Sequence, residues 1–292
     1  MTGFYEHSVS EQSVSEYTEA QRPSINWGKW LLIGTGVLFS VLLLVIPIAW
    51  IFLTAFSKGI DMVAQNLFDP DMLHAIWLTV IIALITVPLN LVFGVTTAWL
   101  VTRFQFPGRQ LLLTFIDIPF AVSPVVAGLL YLLFYGDKGW LGSWLGGYDI
   151  QLMFSWPGMV LVTVFVTFPF VVRELVPVML SQGNQGDEAA ILLGASGWKM
   201  FWRVTLPNIR WALLYGIVLT NARAIGEFGA VSVVSGAIRG ETYTLPLQVD
   251  LLYQDYNTVG AFTAAALLAV MAIITLIVKS TLQWRLSRHK GS

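Results

Sequence analysis

The sequence has no cysteine, so disulfides, thiolate metal sites and cysteine nucleophiles are excluded. Charge is scarce as well. Asp, Glu, Lys and Arg make up 11% of the 292 residues and hydrophobic residues 56%, whereas a soluble domain carries about 25% charged residues. A chain so poor in charge cannot cover a wetted surface in the ordinary way, and it reads as an integral membrane protein. The net charge of −1 offers none of the basic stripe that nucleic-acid binding requires. The three histidines, His7, His74 and His289, show no metal-ligand spacing, and neither a metal nor another cofactor is expected. No phosphate loop and no nucleophile elbow occurs. A non-catalytic protein is therefore expected, and if ATP drives it, another chain binds the ATP.

What the sequence does have is long apolar runs. A helix crosses the bilayer core with about 20 apolar residues, each rising about 1.5 Å through roughly 30 Å of hydrocarbon. Six stretches meet that length: 31–56, 76–101, 111–135, 157–180, 209–235 and 258–279. They are apolar all round, with Pro and Gly inside, as bundled membrane helices tolerate. The expected fold class is therefore all-α integral membrane, with six transmembrane helices. Residues 1–30 are polar and rich in Ser and Glu, which predicts a disordered tail. They lack the basic and apolar regions of a signal peptide. The basic C-terminal end, 287–292, closes the chain.

Lys and Arg set the expected orientation. Arg22, Lys29, Arg103, Arg109, Lys199, Arg203, Arg210, Lys279, Arg285, Arg288 and Lys290 fall on one side of the six spans. Only Lys58, Lys138 and Arg239 fall on the other. The positive-inside rule then puts both termini in the cytoplasm. The segment 187–207, DEAAILLGASGWKMFWRVTLP, is cytoplasmic too.

That segment is too structured for a simple turn. Asp187 can cap a short helix, with Glu188 adding negative charge at its positive end. Gly194 stands where a left-handed C-terminal cap needs no side chain. Ser196 can cap a second helix, which puts Trp198, Phe201 and Trp202 on one face, beside Lys199 and Arg203. Pro207 is expected to bar its continuation. On these grounds alone the unit is either a rigid knob for a partner or an amphipathic hairpin on the membrane surface.

Glu188-Ala189-Ala190, then Gly194, Phe201 and Val204-Thr205-Leu206-Pro207, resembles the EAA motif of ABC importer permeases. The stretch NARAIGEFGA (221–230) resembles a segment of the sulfate and molybdate permeases. FVTFPFVVRELVPVML (165–180) and the chain after Ala230 are similar to the CysW-type sulfate/thiosulfate permease family. The likeness runs from about residue 30 to 286. It implies a type I importer permease (MetI-like) architecture, with a permease domain over 31–286 and a cytoplasmic coupling helix in 187–207. It further implies a homologous sister permease, two copies of a cytoplasmic ATPase and a soluble sulfate-binding protein, at the cell inner membrane. Glu188, Ala189, Ala190, Gly194, Phe201 and Pro207 would carry the ATPase coupling. A molybdate or tungstate permease is the near alternative, and a self-contained secondary anion transporter the distant one.

Five charges lie inside apolar spans: Asp117, Arg173, Glu174, Arg223 and Glu227. Each must be paired, hydrated or turned toward the bundle interior. Arg173, Glu174, Arg223 and Glu227 are candidates for the pathway or its gate, because a guanidinium forks onto oxyanions and keeps its proton. For all of them, tying helices together is the stronger expectation. Arg223 and Glu227 are spaced for an intrahelical pair, and beside Asp117 the neighbouring Pro119 and Pro124 mark a broken helix whose freed backbone groups need partners. Outside the membrane, Trp140, Trp144 and Trp156 suit the interface. The loop 236–257 suits either a docking surface or a helix packed on the bundle.

Overall fold

The computed structural model describes residues 27–148 and 151–290, and every regular element among them is helical. Helices α1 (Trp27–Ser40) and α2 (Ile46–Ala55) join through the π-helical turn Val41–Val45 into one continuous helix. Its 29 residues have a mean hydropathy of 2.7, and at about 1.5 Å each they exceed the hydrocarbon thickness. This helix begins at Trp27, slightly inside the expected polar tail. Residues 1–26 of that tail lie outside the described residues.

A bundle follows. It comprises α3 (Ile60–Leu67), α4 (Pro70–Arg103), α5 (Arg109–Ala121), α6 (Pro124–Tyr135), α7 (Gly142–Gly146) and α8 (Trp156–Gln182). Beyond these come α9 (Gln185–Leu192), α10 (Gly197–Met200), α11 (Leu206–Ile225), α12 (Gly229–Val234), α13 (Leu245–Gln254) and α14 (Thr258–Lys290). The sequence fixes the start of α4 sharply. Asp69 accepts from the amides of Asp71 (3.0 Å) and Met72 (3.4 Å), and Pro70 occupies the first turn, where its missing N–H costs nothing.

Helix α8 is the centre of the bundle, with α4 and α11 as its main neighbours. Apolar surface gives little drive to associate in lipid, so close packing and interhelical hydrogen bonds must hold these helices. Both are present. A Cβ on Gly94 of α4 would stand 2.6 Å from Val171 Cγ1 of α8, so only glycine allows this approach. One turn away, buried Asn90 donates to Thr167 Oγ1 at 2.6 Å. The same α4–α8 seam continues into a core of Val95, Ala98, Val171, Leu175, Met179 and Ile209. A second core surrounds Ile82, Met159, Val162 and Val231, and a third surrounds Met72, Leu245 and Ala264.

The structure revises the six uninterrupted spans. Among the described residues, four helices are long and apolar enough to cross: Trp27–Ala55, Pro70–Arg103, Trp156–Gln182 and Thr258–Thr281. The stretch 111–135 is instead the pair α5 and α6, bent by 108°, which makes a fifth crossing if counted as one. The cause is Pro124, which lacks an N–H and pushes Ser123 into an extended conformation. The stretch 209–235 is divided as well, because α11 ends at Ile225 and α12 starts at Gly229. Arg210 and Arg223 also make α11 less apolar than its neighbours.

The loop 236–257 contains α13, which buries Leu245, Pro246, Leu247 and Gln248 against α14 and α4. The Leu245 amide donates to Thr79 Oγ1 at 2.7 Å. Arg239 of this loop bridges Asp71 (3.1 Å) and Asp255 (3.3 Å), fastening it to the start of α4. Trp140, Trp144 and Trp156 are all exposed, as an interfacial role requires.

Candidate coupling segment and membrane charge pairs

Helix α9 and its cap build the first half of the coupling segment. Gly194 takes φ +86°, a conformation costly for any residue with a Cβ. The turn is a Schellman cap, with the Gly194 amide on Ile191 O (2.9 Å) and the Ala195 amide on Ala190 O (3.0 Å). The carbonyl of Ala190 is thus used in closing the helix. Ser196 accepts from the Lys199 amide at 3.4 Å, capping the second helix as its position implies.

Two expectations fail here. Asp187 does not cap α9, which starts two residues earlier at Gln185. Asp187 turns inward instead, because a buried arginine awaits it. Arg103 Nε lies 2.7 Å from Asp187 Oδ2, and both side chains are 9% exposed. Thr205 donates to Asp187 Oδ1 at 3.0 Å, and Arg103 also donates to Asn184 Oδ1 at 2.6 Å. Nor does Pro207 stop the second helix. A π-helical turn, Phe201–Thr205, carries α10 straight into α11. Its wider coil relieves the clash of the proline ring with the carbonyl four residues earlier.

The outcome is a knob with a fixed base. Phe201 packs inward on Trp99 of α4, with ring centroids 5.4 Å apart. Trp198 and Trp202 contact Phe201 and each other, as their spacing implies, but remain exposed. Leu192 and Leu193 are 87% and 89% exposed. Glu188, Ala189 and Pro207 are exposed and Ala190 half-buried. Glu188 also lines a polar cavity of about 310 Å³ with Arg103, Arg109 and Asn184.

The membrane charges fall into separate groups. Arg223 Nη1 lies 2.5 Å from Glu227 Oε2, while Glu227 Oε1 accepts from the Ala230 amide at 2.9 Å. Glu227 is buried and caps the broken helix α12. Arg173 pairs with Asp117 of α5 at 2.9 Å and stacks 4.0 Å over the Phe120 ring. Glu174 sits on the side of α8 nearer α11, its Cβ 3.8 Å from where a Cβ on Gly216 would stand. The four candidate pathway residues are therefore not brought into one cluster.

Residues 90–287 match the model of the family described as binding-protein-dependent transport system inner membrane components. The chain belongs to this family. The match takes in Asn90 and Gly94 of the α4–α8 seam, the segment 187–207 and the Arg103–Asp187, Asp117–Arg173 and Arg223–Glu227 pairs. Among the relatives of this inner membrane component is the sulfate transport system permease protein CysW of Escherichia coli (strain K12). It is 74% identical over 280 residues, which cover 95% of this chain and 96% of the relative. The protein of the same name from Synechocystis sp. is 53% identical, with 90% and 95% covered. The sulfate transport system permease protein CysT of Escherichia coli (strain K12) is 33% identical, again with 90% and 95% covered. The fold is shared with a bacterial alginate ABC transporter crystallised with an alginate pentasaccharide-bound periplasmic protein. There the TM-score is 0.75 at 18% identity, covering 89% of this chain and 95% of that one.

The roles of Arg103 and Asn184 at the base of the segment escape sequence reasoning, as does the bond of Thr205, a residue of the motif, to Asp187. Arg103 reads as one more positive charge at a span end. The available signal was a second charge, Asp187, at another junction on the same side.

Proposed function

We propose that this inner membrane component is the permease subunit of an ATP-driven, binding-protein-dependent sulfate/thiosulfate importer. It would form half of the translocation pore beside a homologous sister permease. Two copies of a cytoplasmic ATPase would bind below, and a soluble sulfate-binding protein would deliver the anion from outside. The permease domain spans 31–286 with both termini cytoplasmic, leaving a polar tail over 1–30 and a basic end over 287–292. The subunit itself catalyses nothing.

The observation that carries this reading is the coupling segment. Exposed Leu192, Leu193 and Trp198 stand on a base fixed by a buried ion pair. Apolar side chains displayed on a rigid support suit docking into a partner's cleft. The support also gives that partner something to push. Glu188, Ala189, Ala190, Gly194, Phe201 and Pro207 have the role of ATPase coupling: Glu188 at the exposed rim, Phe201 as inward anchor, Gly194 as the turn. For the substrate, relatives named as sulfate permeases at 74% and 53% identity favour sulfate over molybdate or tungstate.

Purification in mild detergent tests the assembly, and proteoliposomes test the transport. The expected result is co-purification of a sister permease and an ATPase, with sulfate uptake only when ATP and the binding protein are supplied. Uptake by this chain alone under an ion gradient would overturn the reading. Competition with molybdate and tungstate decides the anion.

A further inference from the structure

An ion inside a membrane helix must find a partner, water or a protein interior. Glu227 is buried against Arg223 and the Ala230 amide, and Arg103 and Asp187 bury each other. Asp117 and Arg173 differ. They pair, yet their side chains remain 52% and 53% exposed.

Their depth makes that exposure informative. Arg173 precedes the end of α8 at Gln182, and Asp117 follows the start of α5 at Arg109. At about 1.5 Å per residue both lie some 12 to 14 Å along their helices from those ends. The ends themselves are together, since Arg109 and Gly183 line one cavity. Half-exposed ions at such depth are costly against lipid tails even when paired, so this side of the central helix is expected to meet water or a partner chain.

The pair is also built to let go. Arg173 Nε and Nη2 both reach the same oxygen, Asp117 Oδ1, at 2.9 Å. One carboxylate oxygen makes a weaker grip than a fork of two parallel bonds. Beside the pair is an open cavity of about 160 Å³, whose lining is apolar except for Asp117 and Arg173, so that Arg173 is its one cationic donor. That is several times the roughly 30 Å³ share of one water, room for a small tetrahedral oxyanion. Glu174, on the side of α8 nearer α11, adds no second carboxylate to the cavity lining.

We propose that Arg173 is a transient anion-binding point on the translocation path, and that Asp117 closes it between passages. The inference rests on the anion-permease reading above. An arriving dianion takes the guanidinium donors from Asp117, and Asp117 takes them back when the anion leaves. The guanidinium keeps its proton throughout and always has an anionic partner. Competition from Asp117 prevents the anion from being held too well, which throughput requires. Arg223 does not suit this role. Its partner Glu227 cannot swing away without uncapping α12.

The test uses the intact complex in nanodiscs and proteoliposomes, with wild type, Asp117→Asn, Arg173→Gln and the double variant. Radiolabelled sulfate retained without the binding protein is one readout, and uptake turnover the other. Asp117→Asn is expected to raise retention about tenfold and slow turnover, because the guanidinium loses its competitor. Arg173→Gln is expected to abolish retention and lower turnover about tenfold, because a lone carboxylate repels the dianion. The double variant should recover part of the turnover that Arg173→Gln loses. Equal effects of the two single changes on retention would overturn the inference, since a plain helix tie predicts them. Loss of the sister permease from the Asp117→Asn complex would overturn it too, making the pair a subunit contact. A wild-type complex that retains and moves molybdate but not sulfate would refute the sulfate reading alone, and opposite signs with molybdate would still uphold the pair.

Discussion

Arg103 at the end of α4 and Asp187 in the first turn of α9 form a buried ion pair 2.7 Å apart. Under the proposed function, a push on the segment 187–207 would reach a membrane helix through a rigid contact rather than a slack loop. Removing one partner strands the other charge, at about 3–5 kcal/mol. Arg103→Met and Asp187→Ala should each lower the thermal unfolding temperature of the complex and its binding-protein-stimulated ATPase. Arg103→Met with Asp187→Leu should regain most of the stability, since two apolar groups leave nothing unpaired, but not the stimulated ATPase. Stimulated hydrolysis at the wild-type rate in all three would sink the transmission role.

Gly194 offers a cleaner perturbation, because nothing stands within 4 Å of a Cβ built on it. The cost of a side chain there is conformational, about 1–2 kcal/mol for a residue forced into the left-handed region. Gly194→Val should leave the complex assembled and yet cut stimulated ATPase several-fold. Gly194→Asn should retain most of it, asparagine being the side chain that best tolerates this cap. Size-exclusion chromatography with an ATPase assay checks both, and equal activities for Val and Asn would contradict the argument.

Much of this architecture is legible in the sequence, but not evenly. Gly194 and Ser196 are readable because a cap depends on residues within a few positions of it. The broken spans are only half readable. Pro124 announces the bend at Val122–Ser123, whereas the break at Gly226–Phe228 is sealed by Glu227, whose carboxylate caps α12 in the folded chain. Asp187 misleads for the same reason. Its local chemistry says cap, but Arg103, 84 positions earlier, offers a buried partner that a cap cannot match. Pro207 misleads because a π-helical turn has no signature in residue type. The pairing of Asp117 with Arg173 depends on α5 packing against α8, and no spacing rule reaches across that distance.

Gly94 tests the α4–α8 seam. A Cβ there would lie 2.6 Å from Val171 Cγ1, and the neighbouring Asn90–Thr167 hydrogen bond allows little separation. Gly94→Leu should cost on the order of 1–3 kcal/mol by overpacking and reduce the yield of folded complex in detergent. Gly94→Leu with Val171→Gly should recover part of that yield. Without such recovery, the contact would not be what limits the approach of the two helices.

Arg223 and Glu227 permit a prediction in which structure and transport separate. Glu227 serves both Arg223 and the Ala230 amide, so Arg223→Ala leaves a buried carboxylate unpaired at the break between α11 and α12. Glutamine at position 227 would still accept from Ala230 while carrying no charge. Arg223→Ala should therefore lower maximal sulfate uptake more than it shifts the half-saturating concentration. Arg223→Ala with Glu227→Gln should restore much of the rate, because no charge is then stranded. Whole-cell uptake over a sulfate concentration series distinguishes the two. A change in half-saturation alone, unrelieved by Glu227→Gln, would mean that Arg223 itself meets the anion, and the path would then run along α11 rather than past Arg173.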